Sequence, residues 1–174
     1  ILVSESAAFY FGYSVSSACD VNNDNYDDVI IGAWLNGANG TRSGSAYIYF
    51  GGTSMDSITD VTLRGENHSD YFGYSVSGAG DVNNDNYYDV IVGTRRGNDG
   101  IGYIFLGGSS MDSLADVILE PESSGDYFAR CVSYAGDVNG DGYDDVLVGA
   151  CRNERTGYNA GSAYIYFGGM QMDN

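Results

Sequence analysis

The sequence predicts an all-β fold built from three repeats of one antiparallel four-stranded unit. Three observations lead to this prediction. An Asp- and Asn-rich loop recurs three times, a short β-branched run ending in Gly follows each loop, and further strand-length segments flank both at equivalent places. The loops are residues 20–28, 81–89 and 137–145, and the runs that follow them are 28–32, 89–93 and 145–149. Self-similarity on this scale indicates a repeat protein.

Each loop carries the oxygen pattern that a hard cation needs. Side-chain oxygens stand at loop positions one, three, five and nine, and the main-chain carbonyl at position seven fills a gap. The absence of His and Cys from these positions argues against zinc and copper, and three carboxylates per loop favour calcium over magnesium. We therefore expect three structural Ca²⁺ sites per chain. The expected ligands are Asp20, Asn22, Asp24, Tyr26, Asp28, Asp81, Asn83, Asp85, Tyr87, Asp89, Asp137, Asn139, Asp141, Tyr143 and Asp145.

Two other interpretations of the loops are weaker. The first six positions are like those of an EF-hand loop, but position twelve is Ile31, Val92 or Val148, where an EF-hand needs a bidentate Glu. Asp and Asn are also favoured turn formers, so a single loop could be an ordinary turn. Three copies with the same oxygen pattern favour the metal site. Because a buried strand follows each loop, the loop should be a hairpin connection between strands.

Additional strands complete each unit. One precedes the loop, at residues 11–15, 72–76 and 128–132, and one follows the Gly-ended run, at 45–52, 101–108 and 162–169. A fourth strand is expected at 60–64 and 116–120, each preceded by a Met-Asp-Ser turn that begins at Met55 or Met111. Four antiparallel strands per repeat describe the blade of a β-propeller.

These units resemble the FG-GAP repeats, which build the amino-terminal β-propeller of integrin α subunits and occur in many bacterial surface proteins. The resemblance covers nearly the whole chain and implies a calcium-binding propeller fold and a role in adhesion. The namesake Phe-Gly and Gly-Ala pairs are Phe11-Gly12, Phe72-Gly73, Gly32-Ala33 and Gly149-Ala150. The departures are Ala129 for the first Gly, Thr94 for the Ala, and Trp34, Arg95 and Cys151 where the family often has Pro.

The repeat boundaries divide a single domain, residues 1–174, into blades at approximately 6–64, 65–120 and 121–174. Residues 1–5 align with 62–66, so the N-terminal strand is expected to complete the last blade, which lacks a fourth strand. Propellers typically need about four to eight blades to close. We therefore expect a homo-oligomer, either a dimer closing a six-bladed ring or a strand-passing filament, or else a segment of a longer propeller.

Composition agrees with an extracellular or cell-surface calcium protein. The formal net charge is −17, which disfavours nucleic acid and anionic membrane as partners. Much of the acidity lies within the three loops and would repel itself without metal, so the metal-free protein should be markedly less stable. No apolar run is long enough to span a membrane.

Local features leave several alternatives open. Cys131 and Cys151 lie at equal distances on either side of the third loop, which would place them opposite each other as a cross-strand disulfide or as two buried thiols. Cys19 replaces a Gly of the other repeats and is expected to be unpaired. Asn39 and Asn67 match the glycosylation sequon, which matters only in a eukaryotic secretory host.

Catalysis has little support in the sequence. His68 is the only histidine, and no nucleophile motif accompanies it. We expect a non-enzymatic scaffold for adhesion or assembly, with the alternative of a sugar-binding lectin or an accessory domain of a secreted hydrolase. Aromatic residues alternate along the third strands and could stack sugars, although packing between blades is the stronger interpretation. Candidate contact loops for a protein or glycan ligand are residues 36–42, 95–99 and 152–159, which contain most of the few Arg residues.

Overall fold

A computed structural model of the chain describes residues 1–4, 9–37, 39–170 and 172. Eleven strands and no helix occur in these residues, so none of the described chain could cross a membrane as a helix. The strands are β1 (Ser14–Cys19), β2 (Asp28–Ala33), β3 (Ser45–Tyr49), β4 (Val61–Arg64), β5 (Ser75–Gly80), β6 (Asp89–Gly93), β7 (Gly102–Phe105), β8 (Val117–Leu119), β9 (Phe128–Gly136), β10 (Asp145–Ala150) and β11 (Ser162–Tyr166).

The strands form three separate antiparallel sheets, one for each repeat. The first and second sheets have the orders β1-β2-β3-β4 and β5-β6-β7-β8, and the third has the order β9-β10-β11. Each sheet is a simple meander in which every strand pairs with the next along the chain. The all-β class, the hairpin position of each loop and the four-stranded unit are therefore confirmed for the first two repeats.

The third sheet has three strands in the described residues, and the sheets are not closed into a ring. Residues 1–4 form no strand and do not pair with β11. Ile1 and Leu2 instead line a shallow cavity with Val29 and Met55 of the first repeat. Completion of the third blade by the N-terminal strand is thus not found within one chain and stays a prediction about assembly.

The hydrophobic core lies between sheets rather than within a sheet. One cluster joins Ile30 and Ile48 of the first sheet to Val76 and Val90 of the second, and a second cluster joins the second sheet to the third in the same way. Both faces of the middle sheet are therefore covered, and β6 is buried along its whole length. This is why the second strand of the middle repeat is a continuous β-branched run and not an alternating one.

Glycine allows neighbouring sheets to approach. A Cβ atom on Gly32 would overlap the carbonyl oxygen of Gly73, and one on Gly93 would overlap that of Ala129. In each case a Gly near the end of the second strand of one blade contacts a main-chain carbonyl group of the next blade. That carbonyl group belongs to the second residue of the Phe-Gly pair, or to Ala129 at the same position of the third repeat. The Phe-Gly and Gly-Ala pairs of the repeat are therefore the two sides of one contact between blades.

The aromatic residues of the third strands pack inside the structure. Phe72 and Phe128 are buried, and the Phe72 ring meets the rings of Tyr103 and Phe105 in tilted and edge-on geometry. Phe128 meets Tyr164 and Tyr166 in edge-on geometry, at ring-centroid distances of 5.6 and 6.3 Å. The stripe that could have stacked sugars is thus used mainly for packing.

The prediction that Cys131 and Cys151 lie opposite each other on neighbouring strands is wrong. Cys131 lies opposite Gly149, and a register shift between Gly149 and Ala150 leaves Cys151 beyond the end of β10. The thiols of Cys19, Cys131 and Cys151 are all free, and Cys131 and Cys151 are exposed, so the alternative of two buried thiols is wrong as well. Equal spacing about a loop locates facing residues only when the hairpin has no bulge, and this one has two irregularities.

The residue before each loop has a left-handed backbone conformation, with φ of 58° at Cys19, 80° at Gly80 and 74° at Gly136. The surroundings of the two glycines differ. A Cβ on Gly80 would lie 2.5 Å from both Asp144 Cβ and the Tyr134 ring of the third blade, whereas one on Gly136 would find only Tyr134 Oη, at 3.9 Å. The two sites therefore share the backbone strain and differ in the contact between blades.

We predict that Gly80→Ala destabilises the protein more than Gly136→Ala. Both variants meet the left-handed strain, which costs about 1–2 kcal/mol per residue, but only Gly80→Ala also forces the second and third blades apart. Urea unfolding of the two variants measures the difference. Equal losses of stability would show that the contact at Gly80 contributes nothing.

Candidate metal loops and the opposite face

Each metal loop curls around the carboxylate of its first residue. Asp20 accepts hydrogen bonds from the backbone N–H groups of Asp24, at 2.9 Å, and Asn25, at 2.7 Å. Asp81 and Asp137 accept the corresponding pairs of bonds in the second and third loops. The three repeats therefore build the same backbone turn.

The side chains at positions three and five turn toward this same centre. Asn22 Oδ1 accepts the Asp24 N–H at 3.0 Å, and the Asn22 amide donates to Asp24 Oδ2 at 3.1 Å. Asp24 Oδ1 accepts the N–H of Tyr26 at 2.9 Å. The other two loops repeat all three bonds. The loop oxygens are thereby gathered on the inner side of one tight turn.

The residues between the ligands make this curl possible. Asn23 and Asn25 have φ of 59° and 72°, and their equivalents Asn84 and Asn86 have the same values. In the third loop Gly140 and Gly142 stand at these positions, again with positive φ. Asn and Gly adopt the left-handed conformation at least cost among the residue types, so the alternation of ligand and Asn or Gly encodes the shape of the loop.

The ninth residue joins each loop to another part of its blade. Asp28 is fully buried, and its two oxygens accept the N–H of Val21 at 2.9 Å and the N–H of Gly51 at 2.7 Å. Val21 belongs to the loop, while Gly51 follows the third strand of the blade. Asp89 and Asp145 are equally buried and make the equivalent two bonds. This carboxylate therefore ties the loop to the end of the third strand.

Burial affects the protonation of these carboxyl groups. Desolvation raises the pKa of Asp28 and raises the pKa of Asp89 to about 7, with the neighbouring loop aspartates adding to the effect and the backbone N–H donors opposing it. At the exposed first position of the third loop the balance is reversed, since backbone hydrogen bonds, chiefly from Gly142, lower the pKa of Asp137. A cation beside the ninth residue would favour its ionised form.

The donor atoms of the loops fit a hard cation in type and number. Each carboxylate offers about four lone-pair positions, so an oxygen that accepts a backbone N–H can still coordinate an ion. Nevertheless, no group of three or more Asp, Glu, His or Cys side chains in the described residues is already placed to hold a metal ion. The fifteen expected ligands thus lie together in three loops, and their coordination of calcium stays a prediction.

Neighbouring metal loops are hydrogen-bonded to each other. The Asp20 carbonyl accepts the Tyr88 N–H at 3.3 Å, and the Asp81 carbonyl accepts the Asp144 N–H at 3.1 Å. Asp144 also accepts the Asp81 N–H through its carboxylate, at 2.9 Å, and the Tyr134 hydroxyl, at 2.9 Å. Any ion that orders one loop therefore acts on the contact between two blades.

The topology places all of the basic residues toward one end of the molecule and most of the acidic residues at the other. The metal loops and the connections between third and fourth strands lie at one end, because consecutive strands of each meander run in opposite directions. All seven basic residues are Arg and lie toward the other end. The acidic residues at the metal end include Asp20, Asp24, Asp27, Asp28, Asp56, Asp60, Asp81, Asp85, Asp89, Asp112, Asp116, Asp137, Asp141, Asp144 and Asp145.

An aromatic cluster that the sequence patterns did not reveal lies at this opposite end. The Trp34 ring is 5.2 to 5.8 Å from the rings of Tyr10, Tyr13, Tyr71 and Tyr74, measured between centroids. The signal was present, since Tyr10 and Tyr13 of the first repeat and Tyr71 and Tyr74 of the second flank the same Phe-Gly pair. Only the approach of two blades brings both pairs against one Trp.

The third repeat replaces this aromatic pattern with a cationic one. Arg130 stands where the other repeats have the second Tyr, and its guanidinium carbon lies 3.4 Å from the centre of the Tyr127 ring. Arg152 lies 4.1 Å from the same centre. Arg152 and Arg155 also line a cleft of about 570 Å³ between residues 122–126 and 152–159. The candidate contact loops are thus on the face opposite the metal loops.

His68 makes a structural contact. Its Nδ1 accepts the backbone N–H of Thr41 at 3.1 Å, which links the first blade to the connection that leads into the second. The paired carboxylates Asp27-Asp28 are also divided in role, because Asp28 is buried and Asp27 is exposed.

Comparison with known proteins identifies the repeats. The FG-GAP repeat family matches the chain in three places, at residues 11–49, 72–105 and 133–166. Integrin alpha-5 of Xenopus laevis is 33% identical over 159 residues, which are 84% of this chain and 15% of that protein. Integrin alpha-PS5 of Drosophila melanogaster is 30% identical over 154 residues, with the same shares of each chain.

Human integrin alpha-7 is 34% identical over 145 residues, which are 80% of this chain and 12% of that protein. The chain therefore spans about one seventh of the length of the curated relatives it matches.

We predict that Asp28→Ala destabilises the protein by about 1–3 kcal/mol or more, since it leaves the buried N–H of Val21 without an acceptor at about 1–3 kcal/mol and also removes the acceptor of the part-buried Gly51 N–H. The matched control is Asp27→Ala, which removes the adjacent exposed carboxylate and should change stability by less than about 0.5 kcal/mol. Urea unfolding in the presence of a chelator measures both without any contribution from metal. Similar values for the two variants would contradict the role given to the ninth residue.

Proposed function

The chain belongs to the FG-GAP repeat family, and on that premise we propose that it is an extracellular, calcium-stabilised, non-enzymatic scaffold for adhesion or for assembly with further copies of itself. The observation that carries the proposal is the threefold repetition of one oxygen-lined turn at the junctions between blades. The integrin α subunits that the chain resembles support an adhesive role at the cell surface.

The proposed role of calcium is structural. The loops join neighbouring blades through main-chain hydrogen bonds, and they concentrate acidic residues at an end of the molecule with no Arg. Mutual repulsion of these carboxylates opposes the packing of one loop against the next. A divalent cation in each loop would cancel part of that repulsion and hold the turn that its oxygens already form.

We predict that calcium stabilises the native state. An ion that binds only the folded protein adds about 2.7 kcal/mol per site at a free concentration of 100 times its Kd. Thermal unfolding in excess Ca²⁺ and in a chelator measures the effect, and isothermal titration should give three ions per chain. Asp81→Ala should lower this number to two, while Asp112→Ala removes a carboxylate of the same face outside the loops and should leave three. Equal unfolding temperatures with and without Ca²⁺ would overturn the structural role.

The proposed adhesive surface is the end opposite the metal loops, where the Arg residues are. Arg152 and Arg155 line a cleft that also contains the carboxylates of Glu122, Asp126 and Glu154, and Arg155 pairs with Glu122 at 3.8 Å. The two guanidinium groups are exposed, and they are the groups that an acidic partner would contact. All seven Arg residues lie toward this end of a protein whose formal net charge is −17.

We predict that beads coated with the protein bind a surface carrying heparin, as a probe for an acidic glycan, and do not bind a dextran surface. The double variant Arg152→Ala/Arg155→Ala should lower retention several-fold in Ca²⁺, because it removes two guanidinium contacts to the anionic chain. Arg64→Ala is the control, since it removes an exposed Arg that does not line the cleft. Retention that is equal on both surfaces, or unchanged in the double variant, would contradict the acidic-glycan contact.

A further inference from the structure

We propose that Asp144 is a positioning residue that couples ion binding at the third metal loop to ion binding at the second. Each of these two sites then raises the affinity of the other, while the first site binds almost independently. This coupling rests on the proposed structural role of calcium and specifies how the three sites act on one another.

Asp144 lies between two expected ligands of its own loop. Tyr143 and Asp145 stand at loop positions seven and nine, so the backbone of Asp144 is held on both sides when these two residues bind an ion. Asp145 is fully buried, and its oxygens accept the N–H groups of Val138 and Gly168. The order of the third loop is therefore passed directly to Asp144.

Asp144 also holds the first ligand of the second loop at two points. Its Oδ2 accepts the Asp81 N–H at 2.9 Å, and its own N–H donates to the Asp81 carbonyl at 3.1 Å. The Asp81 carboxylate is the centre around which the second loop curls, since it accepts the N–H groups of Asp85 and Asn86. A fixed Asp144 thus fixes the residue on which the shape of the second loop depends.

A third contact sets the direction of the Asp144 side chain. The Tyr134 hydroxyl, on the first strand of the third blade, donates to Asp144 Oδ1 at 2.9 Å. Each carboxylate oxygen therefore has a donor, and hydrogen bonds to an ionised group are the stronger kind. Gly80 leaves the space for this arrangement, because a Cβ atom there would overlap Asp144.

The junction between the first and second loops has a different set of residues at these places. Asp144, Tyr134 and Gly80 are replaced there by Tyr88, Gly78 and Cys19. The Tyr88 N–H still donates to the Asp20 carbonyl, at the longer distance of 3.3 Å. Tyr88 has no carboxylate to accept the Asp20 N–H, and Gly78 has no hydroxyl to orient one. The first ligand of the first loop is therefore held by its neighbour less firmly than that of the second.

Other contacts between neighbouring loops are the same at both junctions. The Val21 carbonyl accepts the Gly108 N–H, and the Val82 carbonyl accepts the Gly169 N–H, each at 2.8 Å. Repulsion between two bound dications opposes binding at both junctions, and by similar amounts because successive repeats are related alike. A difference in coupling between the two junctions therefore reports on Asp144 and its partners.

The coupling should appear as a higher affinity of the paired sites. A loop that its neighbour has already ordered loses less conformational freedom when it binds an ion. Linkage requires the effect of the third site on the second to equal the reverse effect. Coupling between sites is typically about 5–150-fold in affinity, and we expect at least about fivefold for the second and third sites and less than about twofold for the first and second.

Calorimetric titration with calcium chloride measures both factors. Asp20→Ala leaves the second and third sites, and Asp137→Ala leaves the first and second. The three double variants of Asp20→Ala, Asp81→Ala and Asp137→Ala each leave a single site. The coupling factor of a pair is the product of its two association constants divided by the product of the two single-site constants.

Substitution of Asp144 in the Asp20→Ala background identifies its role. Asp144→Ala removes both carboxylate contacts and should lower the factor to that of the first junction. Asp144→Asn can still accept the Asp81 N–H through its oxygen and donate to Tyr134 Oη through its amide, so it should keep most of the coupling without the charge. The control is Asp27→Ala in the Asp137→Ala background, which removes the exposed residue at the same position of the first loop and should leave that factor unchanged.

Tyr134→Phe is a second test that keeps the ring over Gly80 and removes only the hydroxyl. It should lower the coupling factor of the second and third sites in part, because Asp144 then loses one of its two side-chain donors. Far-UV circular dichroism in calcium checks that this variant and Asp144→Ala have the wild-type fold. If Asp144→Ala does not fold, Tyr134→Phe decides, and an unchanged factor in this variant counts against the role of Asp144.

The outcomes separate this coupling from the proposed role of calcium. Three bound ions with equal factors at both junctions, or a factor that survives Asp144→Ala, would overturn the role of Asp144 and leave the structural role of calcium standing. Equal losses in Asp144→Asn and Asp144→Ala would overturn positioning by hydrogen bonds. A wild-type chain that binds no calcium overturns the proposed function and the coupling together.

Discussion

The rest of the structure depends on the close approach of one blade's main chain to a glycine of the blade before it. At Gly32 and Gly93 the next carbonyl group occupies the space of a missing side chain. This approach sets the spacing between sheets, and the buried Phe72 and Phe128 then fill the interior between them. The cores formed in this way lie between blades, so a single blade would leave its apolar faces exposed.

The same spacing places the metal loops side by side. Loops that are hydrogen-bonded across blades bring many carboxylates to one end of the molecule, and the fully buried ninth aspartate links each loop to its third strand. The two demands are opposed, since packing favours a short distance between loops and charge repulsion favours a long one. A cation at each loop would resolve this opposition, which is the physical reason for the proposed role of calcium in stability.

The third blade differs from the first two in a consistent manner. Ala129 adopts φ of 54° where the other repeats have Gly, and the neighbouring residues are Arg130 and Cys131 in place of Tyr and Ser. The blade nevertheless retains Gly149 and Gly161, which face no neighbour in the described structure. In the third blade, the residues that contact the preceding blade therefore differ from those of the other two repeats. The glycines on its other face are the same as in the other repeats.

The sequence alone determined the repeats, the strands and the hairpin position of the loops, because ligand alternation, β-branched runs and turn residues are local signals. It also placed the family correctly through the Phe-Gly and Gly-Ala pairs. The tertiary structure alone decided that both oxygens of Asp28 accept backbone N–H groups, that Trp34 collects tyrosines from two blades, and that a bulge keeps Cys151 away from Cys131. These features depend on register shifts and on contacts between segments far apart in the chain, which periodicity cannot specify.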